Sequence, residues 1–141
     1  MAIRIVRLGT PRAEGEGVRL GTVRRPPRGV PKADFARLDY YDVWFPNLAP
    51  TAELVAEALA AGDDDRAWAA FVRKFRKEMS APDAARVLDV LAALSHESNF
   101  ALGCYCESET RCHRSVLRDL LLERGAAVAQ ARYTPPKCPN P

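Results

Sequence analysis

The apolar run Phe100-Ala-Leu-Gly103 and the amphipathic run Ser115-Val-Leu-Arg-Asp-Leu-Leu-Leu-Glu-Arg124 stand eleven residues apart. The apolar run reads as a strand that ends in a loop, and the amphipathic run as the helix into which that loop turns. Strand, loop and helix in that order, with further helical segments before them, predict an α/β domain. Its sheet is expected to be small, mostly parallel and flanked by crossover helices. The loop itself, Cys104-Tyr-Cys-Glu-Ser-Glu-Thr-Arg-Cys-His-Arg114, holds three of the four cysteines and one of the two histidines. Helix starts attract anions through their unpaired N–H groups, so this loop is the first place to expect chemistry.

The rest of the chain supplies the other elements. Val6-Arg-Leu-Gly-Thr-Pro-Arg12 recurs as Val18-Arg-Leu-Gly-Thr-Val-Arg24, with Ala13-Glu-Gly-Glu-Gly17 between. The simplest reading is two short strands joined by a glycine-containing turn. Arg25-Pro-Pro-Arg-Gly-Val-Pro-Lys32 is a stiff basic loop. Leu38-Asp-Tyr-Tyr-Asp-Val-Trp-Phe45 reads as an extended segment, its alternation placing Tyr40, Asp42 and Trp44 on one side as a pocket wall. Three helices follow. The first is capped by Thr51, carries Leu54, Val55, Ala58 and Leu59, and stops at Gly62. The second starts at Asp63-Asp64-Asp65 and carries Trp68, Phe71, Val72, Phe75 and Met79 as core. The third is capped around Ser80 to Asp83 and carries Val87, Leu88, Leu91 and Leu94, with His96 closing it. Residues 126–133 read as a last short strand, so the domain is expected to span 1–133, with a proline-rich tail over 134–141 that includes Cys138.

No apolar run approaches the ~18 residues of a membrane span, and the start is too short for a secretory signal. The expectation is a cytoplasmic protein with reduced cysteines and no membrane partner. Charge is uneven. Residues 1–37 hold nine Arg/Lys against three acids, and residues 38–141 hold twelve against fifteen. A basic N-terminal segment suits a small anionic ligand or nucleic acid, although no aromatic residues interleave with residues 4–28 as a stacking surface requires.

Two chemistries compete for the cysteine loop. In one, Cys112 at the helix start, flanked by Arg111, His113 and Arg114, is an activated thiol with His113 as its catalytic partner; the same cations bind an anion. In the other, Cys104, Cys106, Cys112 and His113 are four zinc or iron ligands. The spacing is unusual for zinc, and adjacent helix residues point about 100° apart, which opposes Cys112 and His113 sharing one ion. Dinucleotide, phosphate-loop, zinc-protease and serine-hydrolase motifs are absent.

Arg7-Leu-Gly-Thr10, Pro27-Arg-Gly-Val-Pro-Lys32, Asp42-Val-Trp-Phe-Pro-Asn-Leu-Ala-Pro50, Trp68-Ala-Ala-Phe71, Phe75-Arg-Lys-Glu-Met79 and Cys104 through Arg114 occur in an order that resembles the domain of unknown function 488 family, which includes the YeaO-like proteins. The resemblance runs from about residue 4 to about 126 and implies a small cytosolic α/β protein without an assigned activity. Many members carry Cys, seven residues, then Cys-His-Arg, matched by Cys104, Cys112, His113 and Arg114; Cys106 departs from a frequent acid. The YeaO-like branch, which often lacks the paired cysteines, has the Pro-Arg-Gly-Val-x-Lys stretch matched by Pro27 to Lys32. With that loop facing the helix start, Arg28, Lys32, Arg111 and Arg114 would bind an anionic or nucleotide-like ligand over Cys112 and His113, all open to solvent.

Overall fold

The structure, a computed structural model, describes residues 1–129. Four parallel strands, β1 (Ile3–Arg7), β2 (Val18–Gly21), β3 (Val43–Trp44) and β4 (Phe100–Cys104), form one sheet in the order β1-β4-β2-β3. Helices α1 (Ala52–Ala61), α2 (Asp65–Met79) and α3 (Pro82–Leu94) lie between β3 and β4 in sequence, and α4 (His113–Glu123) follows β4. The α/β architecture with a parallel sheet is as the sequence predicts.

β4 takes the centre because it is apolar throughout: all five residues are buried, as a strand covered on both faces requires. Its position overturns the expected hairpin. β1 and β2 do not pair with each other; both run parallel to β4, Ile3 and Val18 opposite Phe100. Arg19 explains why the repeated segments differ. It is fully buried, pairs with Glu16 through Nε at 2.9 Å and Nη2 at 3.0 Å, and donates through Nη1 to the carbonyls of Thr10 and Asp39. The intervening loop turns at Ala13–Glu16, where Glu16 N donates to the Ala13 carbonyl at 3.1 Å, but it wraps around a guanidinium and does not fold β1 onto β2.

The extended segment at 38–45 shrinks to the two residues of β3. Asp39 adopts φ +62°, left-handed and incompatible with a strand, and its carbonyl accepts from Gly9 N and Arg19 Nη1. Asp42 turns to Arg12, whose Nη1 and Nη2 donate to its carboxylate at 2.8 and 3.1 Å, and accepts from Arg19 N at 2.8 Å. Desolvation raises the Asp42 pKa, but the Arg12 hydrogen bonds and the Arg19 amide outweigh it and hold the group below its ordinary value. A lowered carboxyl pKa contributes stability that is complete above the unfolded value and lost as pH falls through the folded one. Asp42→Asn should thus flatten the acid limb of the stability profile below about pH 4. Parallel urea melts from pH 7 to 3 check this; an unchanged acid limb would contradict it.

The helices form for local reasons. Thr51 Oγ1 accepts from Leu54 N at 3.3 Å, Asp64 Oδ1 accepts from Arg66 N at 3.0 Å, and Gly62 at φ +60° ends α1. At α3 the cap differs from expectation: Ala81 holds it without a side-chain bond, Pro82 opens the helix, and Ser80 Oγ donates back to the Lys77 carbonyl. Phe71, Phe75 and Met79 of α2, Leu88 and Leu91 of α3, and Leu117, Leu120 and Leu121 of α4 bury against Ile3, Phe100 and Leu102 as the main core. Leu59 and Leu94 stay exposed, at the margins of their stripes. Val128 bridges Ile3 in parallel, the described part of the expected last strand; residues 130–133, the proline-rich tail and Cys138 lie outside the described residues. Among the described residues no helix is long and apolar enough to cross a membrane.

Candidate functional site

The segments leaving the C-terminal ends of β1, β2 and β4 converge on one cavity of about 1030 Å³. Ligands of open parallel sheets bind in this position, outside the carboxyl ends of the strands. β1 contributes Arg7 to Thr10, β2 contributes Val23 to Arg28, and β4 contributes Cys104 to Cys106. Cys112 and His113 come up from α4, while Val55, Ala58, Leu59, Trp68 and Phe71 form an apolar wall from α1 and α2.

Three thiols meet at this cavity. The Sγ atoms of Cys104, Cys106 and Cys112 all lie within 4.8 Å of one another, with Cys104 and Cys106 at 3.8 Å. All three are free thiols. Cys112 is the N-cap of α4, in extended conformation at φ −124° and ψ 150°. A hydrogen bond to Cys106, the largest cause, keeps the Cys104 proton in place well above the usual thiol range. The same bond, which Cys106 accepts from Cys104, is the main cause that pulls Cys106 down to about 3, with the Arg114 charge adding to it. Cys112 is lowered as well, chiefly by Cys104 and further by His113.

His113 is fixed by its partners. Nε2 lies 2.6 Å from the Thr22 carbonyl, which can only accept, so Nε2 carries the hydrogen and donates. Nδ1 is left facing Cys112 Sγ at 3.7 Å. Phe75 sets the ring from below, centroids 5.6 Å apart and edge-on. Thr22 is a site residue that composition could not reveal; it matters through its backbone oxygen.

The expected solvent-open trio is corrected. Cys112, His113 and Arg114 are 2, 7 and 3 % exposed. The first two reach the cavity from beneath, and Arg114 is not among its lining residues. Arg114 Nη2 donates to the Cys106 carbonyl, and its Nε has no partner. The trio's burial continues along the helix: Val116 and Leu117, which follow in α4, are buried in the main core.

The cavity rim is basic. Arg7, Arg24, Arg25, Arg28 and Arg111 line it, and among the described residues no carboxylate does. Their availability differs. Arg24 is spent on the carbonyls of Pro46, Ala49 and Pro50. Arg7 reaches the Tyr105 carbonyl and Glu107. Arg111 pairs with Asp65 and stacks 5.8 Å over Trp68. Arg25 and Arg28 are exposed on the proline-rich loop and enter none of the ion pairs among the described residues. Lys32 stands exposed in the short 3-10 turn Lys32–Asp34, away from the lining. Of the residues singled out in the sequence, the fold therefore brings Arg28, Arg111, Cys104, Cys106, Cys112 and His113 to one cavity and leaves out Lys32 and Arg114. Sequence reasoning missed Arg25, adjacent to Pro26, and Tyr105, whose hydroxyl donates to the Arg25 carbonyl at 2.9 Å. Trp68 and Phe71, read as pure core, also face the cavity, whereas of the expected wall of Tyr40, Asp42 and Trp44 only Tyr40 lines it.

The family model of the active DUF488-N3 subclade, DUF488-N3a, matches residues 3–125, from β1 to the end of α4. The chain belongs to the DUF488 family. No curated protein and no solved structure matches it significantly. The DUF488 match spans every segment that builds the cavity.

Proposed function

We propose that this DUF488 chain binds a small phosphate-bearing or similarly anionic ligand, of nucleotide size, in the arginine-rimmed cavity and acts on it at the thiol floor. One observation carries the reading: the same cavity joins uncommitted Arg25 and Arg28 to Cys112 and His113 without a single lining carboxylate among the described residues. Guanidinium groups bind phosphate oxygens in pairs of parallel hydrogen bonds. The apolar wall of Val55, Ala58 and Trp68 suits the uncharged part of such a ligand. Cys112 and His113 are the candidate catalytic pair, because they are the reactive groups beneath that ligand. The subclade's description as active accords with chemistry there.

A nucleic-acid surface is the weaker reading. Arg12, Arg19 and Arg24, three of the bases in the N-terminal segment, are consumed by internal partners. It predicts a mobility shift that fades steeply with salt.

Calorimetry with adenosine monophosphate and inorganic pyrophosphate tests the cavity. Charge-assisted hydrogen bonds contribute about 1.5–3 kcal/mol each, so the double variant Arg25→Ala, Arg28→Ala should weaken binding at least about 100-fold. Lys32→Ala should leave it unchanged. Undetectable binding of both probes to the unaltered protein, or equal affinity in the double variant, would refute the reading.

A further inference from the structure

We infer that Cys104, Cys106 and Cys112 together hold one zinc ion, with its fourth coordination position turned into the arginine-rimmed cavity. Three features of the site support it. Thiolates bound to zinc at about 2.3 Å on the corners of a tetrahedron lie about 3.8 Å apart. The Cys104–Cys106 separation is 3.8 Å, and all three sulfurs are within 4.8 Å of one another. They arrive from a strand end, a loop and a helix cap, so their meeting is a product of the tertiary fold and not of local spacing.

Arg114 is the second, independent feature. It is 3 % exposed, its Nε lacks a partner, and none of the ion pairs among the described residues includes it. A buried guanidinium cannot shed its proton and needs an anion nearby. Its Nη2 rests on the Cys106 carbonyl, beside the thiol cluster. Three thiolates around a divalent cation carry one net negative charge, which that guanidinium neutralises.

The third feature is the open side. All three cysteines line the cavity, so the tetrahedron's remaining corner faces the ligand space, as in zinc sites that keep a position for water or substrate. His113 lies outside the ligand set: Nε2 is committed to Thr22, and Nδ1, though 3.7 Å from Cys112 Sγ, is not among the ligand atoms that all lie within 4.8 Å of one another. This revises the four-ligand set expected from sequence to three thiols with an exchangeable fourth ligand. Binding releases the thiol protons to solvent and changes no oxidation state. The inference rests on the anion-cavity reading only for what the open corner faces; in the zinc-bound protein Cys112 is a ligand and not a free nucleophile, so zinc loading should protect it from alkylation.

The test uses the untagged full chain, reduced with a phosphine. Elemental analysis after zinc loading and desalting should find one equivalent per chain, and cobalt(II) substitution should give thiolate charge-transfer and tetrahedral d–d bands. Cys106→Ser, at an exposed position, should keep the fold by circular dichroism, weaken zinc about 100-fold in chelator competition, and reduce the charge-transfer intensity. The Arg25→Ala, Arg28→Ala variant should retain zinc. Less than a tenth of an equivalent, or zinc binding indifferent to Cys106→Ser, overturns the inference even if pyrophosphate binds. Zinc binding without pyrophosphate binding overturns only the cavity reading.

Discussion

Arg19→Met should lower the free energy of unfolding by about 3–5 kcal/mol, because it leaves the Glu16 carboxylate buried without its countercharge. Both side chains are almost fully enclosed, at 0 and 3 % exposure. Natural domains have only about 5–15 kcal/mol in total, so this one change consumes a large fraction of it. The loss extends beyond the pair. Arg19 also ties the Thr10 and Asp39 carbonyls, and Thr10 and Tyr40 line the cavity. Urea melts of Arg19→Met, Glu16→Gln and the double variant read the coupling: the double should lose less than the two singles added, since it leaves no unpaired charge. A single-variant loss below about 1 kcal/mol would show that solvent already compensates the pair.

Most of the architecture was legible because its signals are local. Thr51, Gly62, Asp64 and the three-and-four spacing of Phe71, Phe75 and Met79 each act within a few residues. The apolar run Phe100 to Gly103 announced a strand, though not its central place in the sheet. Strand order was not legible in the same way. The repeat at residues 6–12 and 18–24 looks like a hairpin until Arg19 is known to be buried, and an arginine's burial depends on distant carbonyls.

The site divides similarly. The cysteine loop marked itself by composition, and Arg28 by its place on a stiff loop. What remained hidden was depth. Sequence places Cys112, His113 and Arg114 side by side at a helix start, yet α4 carries them beneath the sheet end, so two reach the cavity and one supports it from behind. Thr22 escaped notice because a carbonyl oxygen has no sequence signature, although it decides which nitrogen of His113 faces the thiol.

Gly17→Ala should destabilise the fold by about 2–5 kcal/mol, from left-handed strain of about 1–2 and overpacking of about 1–3. Gly17 holds φ +83°, and a Cβ there would sit 2.0 Å from the Asn99 carbonyl oxygen and 2.8 Å from its carbon. Those are backbone atoms immediately before β4, so no rotamer change relieves the clash. Gly15→Ala supplies the control: its φ of +69° is equally left-handed, but nothing lies within 4 Å of a Cβ. It should cost only the strain, about 1–2 kcal/mol. Equal melting curves for the two variants would mean that the β2 entrance yields freely. Relief of the clash otherwise requires β2 to separate from β4 where Val18 meets Phe100. Four residues on, the same strand delivers Thr22 to His113, so whatever folded protein Gly17→Ala yields should also show altered reactivity of the Cys112 thiol toward iodoacetamide.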